Sequence, residues 1–312
     1  MSSLCQNDII TKFIFYNLSF LLMEHSFVII GADIGGSHIE AAVVDLGGKQ
    51  LLEKTHLLNA VNPHGTADAV LTTWTQTIQT VMAGHPNRQT KIGIAMPGPF
   101  DYQTGVCWMK NVNKYDSLYG LNLKKELATR LSLSPDCILM RNDAEAFLEG
   151  EMMAGAGLGF RKAIGLTLGT GLGTAVSRDG VTTDAALGIQ APLNAGVAED
   201  YISTRWFVKS YFEKTGKKLT GVRELTLLIA QNPNLQSIFD EFAANLAAFL
   251  TFFIEKEQPE VVIIGGNIAH ASDFFFPQME TLLKAYTPQI RFRKAILGAV
   301  APLIGAAYCW KD

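Results

Sequence analysis

Three short apolar runs in this chain each end in a glycine turn, and two aspartates stand at such junctions. The turns are Asp33-Ile34-Gly35-Gly36-Ser37, Leu168-Gly169-Thr170-Gly171 and Ile264-Gly265-Gly266-Asn267. Glycine removes the Cβ and permits positive φ, so backbone N–H groups can approach and wrap an anion. A nucleoside triphosphate needs such donors from more than one side, and the hydroxyls of Ser37 and Thr170 add two more. Any one of these turns alone reads equally well as an ordinary hairpin turn. The three together, in this order, point to phosphate. The sequence has no G-x-x-x-x-G-K-S/T, which excludes a P-loop, and the run Leu168–Gly173 opens a strand, the wrong setting for dinucleotide binding.

Asp33 lies at the end of an apolar run beside the first turn. A carboxylate there can hold Mg2+ through its water shell against the β- and γ-phosphates. The same residue can instead be a turn former that accepts backbone N–H bonds. Asp143, in Leu139-Met140-Arg141-Asn142-Asp143-Ala144, stands where a strand gives way to a helix. Two uses compete at that point. Asn142 or Asp143 can cap the helix. Alternatively, Asp143 stays ionised near the helix N-terminus and serves as a base for an acceptor hydroxyl, while metal and backbone donors take the phosphoryl charge.

The elements that must position these residues follow from the apolar pattern. FVIIGAD reads as a buried strand, IEAAVVDL as a second and QLLEKTHLL as a third. Ala69, Val70, Thr73, Trp74, Thr77, Ile78 and Val81 have helical spacing over residues 66–82. KIGIAMPG is a strand with a Pro-Gly end, 121–131 an amphipathic helix, and DCILMRND a strand running into the helix DAEAFLEGEMMAGA. The plan then restarts: KAIGLTLGTGLGTAVSRDG repeats the strand, glycine turn, strand order of FVIIGADIGGSHIEAAVVDLGG. This implies an internal duplication. Helices are expected over 196–214, 221–231, 236–256 and 270–285, strands at PEVVIIGGN and RFRKAI, and a closing helix in VAPLIGAAYCW. The class is α/β, with two similar lobes that each open with a β-hairpin and a cleft between them. Residues 27–141 form the expected N-terminal lobe, 142–299 the C-terminal lobe, and 300–312 a closing helix that returns to the first lobe.

Composition narrows the partners. The chain has 312 residues, 48% hydrophobic and 18% charged, with a net charge of -3. That balance and the lack of a Lys/Arg-rich run argue against nucleic acid. Cys5, Cys107, Cys137 and Cys309 are widely separated and form no C-x-x-C pair, so they read as small apolar residues of a reducing compartment. Residues 9–23 are apolar but broken by Lys12, Asn17 and Ser19. They are short for a bilayer span and lack the flanks of a signal peptide. The expectation is an N-terminal extension over residues 1–26, disordered or arising from an upstream start codon with Met23 as the true beginning, and a cytoplasmic protein with no membrane partner.

The matching pieces GADIGGSHIEAAVVD, GIAMPGPFDYQTG, KNVNKY, RNDAEAFLEGE, LTLGTGLGTAVSRDG, GVAEDYIS and VVIIGGNIAHA run from about Phe27 to Tyr308. In this order they resemble the ROK family of sugar kinases and sugar-sensing repressors, within the actin-like, hexokinase-like ATPase superfamily. The resemblance implies an ATP-dependent sugar kinase that uses ATP and Mg2+ and phosphorylates a hexose or N-acetylhexosamine. It implies Asp143 as the base, with Gly98, Asn111, Asn142 and Glu199 around the sugar. It further implies Asp33, Gly35, Gly36, Ser37, Gly169, Thr170 and Gly171 at the phosphates and metal, and Gly265, Gly266 and Asn267 on the adenosine side. A homodimer is implied too, for which the apolar helices after residue 196 are available.

The departures lie in one segment. Many relatives carry a Gly-Glu-x-Gly-His stretch and a cysteine-rich zinc cluster. Residues 181–198, VTTDAALGIQAPLNAGVA, contain no Cys, His or Glu, so no zinc is expected. Sugar-reading groups are missing with them, which keeps a second reading open: a non-catalytic sugar sensor acting through a partner protein. His38, where relatives more often have a basic residue or Asn, is expected to be an exposed turn histidine.

Overall fold

The computed structural model describes residues 27–86, 88–284, 287 and 289–311, so the expected extension over 1–26 lies outside the described residues. The first lobe is built on a mixed sheet. Strand β1 (Phe27–Ile34) pairs antiparallel with β2 (His38–Asp45) and parallel with β5 (Gln89–Met96). Strand β5 pairs parallel with β8 (Ile138–Asn142), while β3 (Gln50–Leu51) and β4 (Leu57–Ala60) edge β2. The central strands are buried on both faces, which is why they read as continuous apolar runs. Helix α1 (Ala67–Ala83) covers this sheet. The Thr66 side chain caps it by accepting the Ala69 N–H, and Val70, Leu71, Trp74, Ile78 and Val81 form its buried stripe. Helix α2 (Leu123–Leu131) packs beside it, and a two-stranded flap, β6 (Phe100–Asp101) with β7 (Val106–Cys107), extends the β5 end.

Helix α3 (Asp143–Ala154) leads into a second sheet made on the same plan. Strand β9 (Lys162–Leu168) pairs antiparallel with β10 (Leu172–Arg178) and parallel with β14 (Val261–Gly265). Strand β15 (Arg291–Lys294) pairs parallel with β14, and β11 (Val181–Asp184) edges β10. The spatial orders β3-β2-β1-β5-β8 and β11-β10-β9-β14-β15 correspond strand for strand. The duplicated sequence pattern is therefore a duplicated sheet. A small ribbon, β12 (Pro192–Leu193) with β13 (Gly196–Val197), precedes α4 (Thr204–Thr215) and α5 (Val222–Ile229). Helix α6 (Gln236–Glu257) is the spine of the second core and buries Phe239, Phe242, Phe249 and Phe253, each contributing about 2–3 kcal/mol by removal from water. The stretch Pro233–Glu257 is long and apolar enough to cross a membrane by length and composition, but here its apolar side packs on Phe207 and Phe275.

Helix α7 (Phe276–Lys284) packs on α6, and the chain closes with α8 (Ala301–Ala307). Helix α8 lies on β1, β5 and α3, so it bridges the two lobes. Its backbone comes so near that a methyl group on Gly31 or Gly93 would overlap the carbonyls of Leu303 or Ala306.

Three segments differ from the sequence expectation, each for a local reason. The expected strand QLLEKTHLL divides into β3, a turn of 3-10 helix at Glu53–Thr55, and β4. There the Thr55 hydroxyl donates to Leu52 O at 2.7 Å and accepts the Val43 N–H at 2.9 Å, replacing a ladder bond. The helix expected over 196–214 breaks before Thr204, whose N–H and hydroxyl both bond to Gly169 O. The helix expected over 270–285 is a 3-10 stretch, Asn267–Phe274, followed by α7.

Candidate active site

Strand register brings the chemistry-bearing residues to one edge of each sheet. Asp33 pairs with Ala95, and Ala95 with Arg141, so Asp33, the Pro97-Gly98 turn and Asn142-Asp143 lie together at the strand C-termini. In the second sheet Thr167 pairs with Gly265, which places the 169–171 turn beside Gly266 and Asn267 at the corresponding edge. Helix α3 joins the two edges, and its Ala144 packs so tightly on Gly173 of the second hairpin that a Cβ there would fall 2.8 Å from the Ala144 Cβ. Asp143 therefore sits where the edges meet. Crevices beyond strand C-termini are where open α/β sheets bind ligands.

The competition for the helix cap is resolved in favour of Asn142. Its Oδ1 accepts the N–H of Ala144 at 2.8 Å and of Glu145 at 3.3 Å. Its Nδ2 donates to the Tyr102 hydroxyl at 3.2 Å, and that hydroxyl donates to Met96 O at 2.9 Å. Burial pushes the Tyr102 phenol above its ordinary value, so it stays a protonated donor. Asp143 is thus the first helical residue. One of its oxygens accepts the Ala144 N–H at 2.8 Å, and the other makes no hydrogen bond among the described residues. Burial raises the Asp143 carboxyl, against the pull of the Lys114 charge and of backbone N–H groups. Burial, then the charges of Asp143 and Glu40, push Asp33 up to about 8. Asp33 thus feels the charge of Asp143 along one sheet edge. Asp184, at the end of β11, joins the same field: burial raises it, and so does Asp143.

The first turn is held from beneath. Gly35 N–H donates to His38 O at 3.0 Å, Gly35 O accepts the Tyr115 hydroxyl at 2.6 Å, and Val61 N–H donates to Ser37 O at 2.8 Å. Gly36 and Ser37 are exposed. The single group near the open side of Gly36 is Lys114, whose Cδ lies 3.9 Å from where a Cβ would stand. His38 stands beside the first turn with its side chain 37% exposed, as expected of a turn histidine, and it also makes local contacts. Its ring packs against Gly35, where a Cβ would stand 2.7 Å from its Cε1, and its Nε2 lies 3.8 Å from Glu40. His56 meets the same buried carboxylate at 2.9 Å.

The second turn is braced from the side. Gly169 N–H donates to Gly171 O at 3.0 Å, and Gly169 O accepts both Thr204 bonds at 2.9 Å. No atom lies within 4 Å of a Cβ built on Gly169, so the turn has open space above it. Glu199 was assigned to the sugar by resemblance. Here its Oε2 accepts the Leu172 N–H at 3.0 Å and its Oε1 pairs with Arg205 at 2.5 Å, both at the second turn. Gly266 has φ +85° and lies so close to Leu168 that a Cβ would fall 2.5 Å from its carbonyl oxygen. Gly265 packs on Phe147, and Asn267 opens the 3-10 stretch. A cavity of about 520 Å³ opens beside Thr170, with Val208, Phe212 and Leu219 as its apolar wall and Arg205, Lys209 and Lys218 at its polar side. Gly265, Gly266 and Asn267 do not line it.

Gly98, expected at the sugar by resemblance, faces the Tyr102 hydroxyl, with 3.5 Å to a built Cβ. Asn111 is exposed with φ +59°, and its N–H donates to Asp116 Oδ1 at 2.9 Å. Sequence reasoning missed Tyr102, Lys114, Tyr115, Asp184, Thr204 and Arg205. Lys114 and Tyr115 fall inside the KNVNKY segment, where Asn111 drew the attention, but nothing local in the sequence says that they reach a turn near residue 35. Among the described residues no three His, Cys, Asp or Glu side chains converge on a metal position. Asp33 suits a hard divalent cation held mostly by water and phosphate oxygens, since a cation would offset the burial and the neighbouring carboxylate charge that raise its carboxyl.

The ROK family model matches residues 29–193 and 194–312. A glucokinase of Thermotoga maritima is 27% identical over 279 residues, covering 80% of this chain and 84% of that protein. An N-acetylgalactosamine kinase of a Shewanella species is 26% identical over 305 residues, covering 89% and 94%. Among solved structures, a ROK glucokinase of Streptomyces griseus, in complex with glucose and AMPPNP, superposes with a TM-score of 0.72 at 23% identity, covering 90% of this chain and 98% of that one. This last likeness speaks for the fold.

Proposed function

The chain belongs to the ROK family, and from that premise we propose that it is an ATP-dependent carbohydrate kinase with Asp143 as its base. The acceptor is a hydroxyl of a hexose or N-acetylhexosamine, the acceptor class named in its relatives. The observation that carries the reading is the position of Asp143. Its free carboxylate oxygen lies at the junction of two glycine-turn edges, within the field of Asp33.

The steps follow from the groups present. The sugar lies against Asn111, Gly98 and the Tyr102–Asn142 pair, with one hydroxyl at Asp143. The triphosphate runs between the 35–37 and 169–171 turns, and the cavity beside Thr170 takes the nucleoside. Asp143 accepts the hydroxyl proton as the sugar oxygen bonds to the γ-phosphorus. The bond from that phosphorus to the β,γ-bridging oxygen breaks, and ADP leaves with the electron pair. A base raised by burial binds that proton more firmly than an exposed aspartate would. Asp33 is the residue that would hold Mg2+, and the ion would supply charge neutralisation for the phosphates. Backbone N–H groups of the two turns supply fixed donors to the same charge.

The test is ADP release measured against a panel of hexoses and N-acetylhexosamines, with calorimetry for each sugar. Release that depends on one sugar class supports the kinase. Heat of sugar binding with no phosphorylation of any sugar would replace the kinase reading with that of a sugar sensor.

A further inference from the structure

The loop over residues 111–116 is shaped at a conformational cost that its packing does not explain. Asn111, Asn113 and Tyr115 have φ of +59°, +60° and +57°, three left-handed non-glycine residues in five. Each costs of the order of 1 kcal/mol. The loop is then pinned at its end. Tyr115 is fully buried, its ring meets Trp74 edge-on at 5.2 Å, its N–H donates to Pro63 O at 2.8 Å, and its hydroxyl grips Gly35 O at 2.6 Å. Between these left-handed residues stands Lys114. Its stem lies over Gly36, the open face of the first turn, where among the described residues no other group beyond the chain neighbours comes within 4 Å of a built Cβ. Among the described residues it makes no salt bridge. Strain that persists because surrounding structure enforces it is commonly placed at functional sites.

We propose that Lys114 is a catalytic residue of this chain, placing its ammonium group on the γ-phosphoryl oxygens between the first glycine turn and Asp143. The inference rests on the kinase reading above and adds a phosphoryl contact to it. Three features converge on that position: the stem over Gly36, the fixed Tyr115 anchor on Gly35, and a positive charge that acts on Asp143. A cation there meets the negative charge that the transferring phosphoryl carries in a loose transition state. It distinguishes ATP from ADP, because the group that it touches is absent from the product. Its charge also opposes the burial that raises Asp143, so the base stays available for the hydroxyl proton.

The experiment compares wild type, Lys114→Met and Lys114→Arg by calorimetric titration with ADP and with a non-hydrolysable ATP analogue, beside kcat and thermal midpoint. Lys114→Met is expected to weaken the analogue about tenfold and ADP less than about twofold, and to lower kcat about a hundredfold. Lys114→Arg keeps the charge and is expected to recover most of the analogue affinity. If the analogue and ADP weaken equally, or neither changes, Lys114 does not touch the γ-phosphoryl group and the proposal is overturned. A shift confined to the pH dependence of turnover would overturn it too, since that would leave Lys114 acting on Asp143 alone. If wild type binds both nucleotides but phosphorylates no sugar, the kinase reading fails, and the analogue-to-ADP ratio still decides the contact. If wild type binds neither nucleotide, both fall.

Discussion

The two glycine-turn hairpins stand on matching sheets, yet they are held and charged differently. The first carries its own ionisable groups: Asp33 on β1, Glu40 opposite it on β2, and the rings of His38 and His56 on Glu40. It is gripped from another part of the lobe by Tyr115 and roofed by Lys114. The second carries no carboxylate of its own from Leu168 to Gly173. It is braced by Glu199 and Thr204 from the helices that follow, and Gly266 lies against its foot. A duplicated frame thus supplies two backbone cradles, and the side chains added to it divide the work. On the proposed kinase reading, the first hairpin would place charge at the reacting phosphoryl and the second would hold the rest of the nucleotide.

The largest effect that sharpens this contrast lies at the glycines that end the neighbouring parallel strands. Gly266→Ala must place a methyl group into the Leu168 backbone at φ +85°, and is expected to lower stability by about 2–4 kcal/mol. Gly98→Ala, at the corresponding place in the first lobe, meets Tyr102 only at 3.5 Å and is expected to cost less than about 1 kcal/mol. Denaturant midpoints of the two variants measure the difference, and equal losses would break the comparison.

Next come the turns themselves. Among the described residues a methyl group on Gly169 meets open space, and one on Gly36 reaches only the Lys114 stem at 3.9 Å, an ordinary contact. Both alanine variants are therefore expected to melt within about 2 °C of wild type while raising the KM for ATP about tenfold, near 1.4 kcal/mol. Unchanged ATP kinetics would mean that the space above the turns is not phosphate space.

A smaller effect separates the brace from the sugar contact that resemblance assigned. Glu199→Gln keeps an acceptor for Leu172 N–H but loses the ion pair with Arg205, which is partly exposed. The expected loss is about 0.5–1 kcal/mol, with a modest rise in the KM for ATP and none for the sugar. A rise confined to the sugar KM would return Glu199 to the acceptor side.

The last effect is a slope. Asp33 titrates near 8 in the native protein and from an ordinary 3.8 when unfolded. Between those values the native state holds the extra proton, so this group's stabilising share is complete at acid pH and is lost as pH rises through about 8. Without divalent cation, Asp33→Asn is expected to melt above wild type by a margin that is wider at pH 8 than at pH 5. Melting curves at the two pH values check the sign.

The parts that were legible in the sequence are those that local spacing encodes. The two hairpins, the helical stripe of α1, the strand-to-helix junction at Asp143 and the restart of the plan near residue 162 all follow from apolar period and glycine punctuation. Asn142 and Asp143 show the boundary. Spacing placed both at the helix start, but only the Tyr102 bond and the cap geometry told which residue caps. What stayed hidden is long-range. Lys114 over Gly36, Tyr115 on Gly35 and Glu199 on Leu172 join positions with no shared pattern. The break before Thr204 had the same origin, since its bonds to Gly169 outweigh a continuous helix. The approach of His38 to the buried Glu40 was hidden as well, since nothing in the sequence says where that carboxylate points.

The account stands or falls on Asp143. Sugar-dependent ADP release by Asp143→Asn, measured beside its affinity for the same sugar, tests it most directly. The substitution keeps size and the bond to Ala144 N–H but removes the proton acceptor. The account predicts turnover lowered by about a hundredfold or more with sugar affinity within a few-fold of wild type. Turnover within a few-fold of wild type would contradict it.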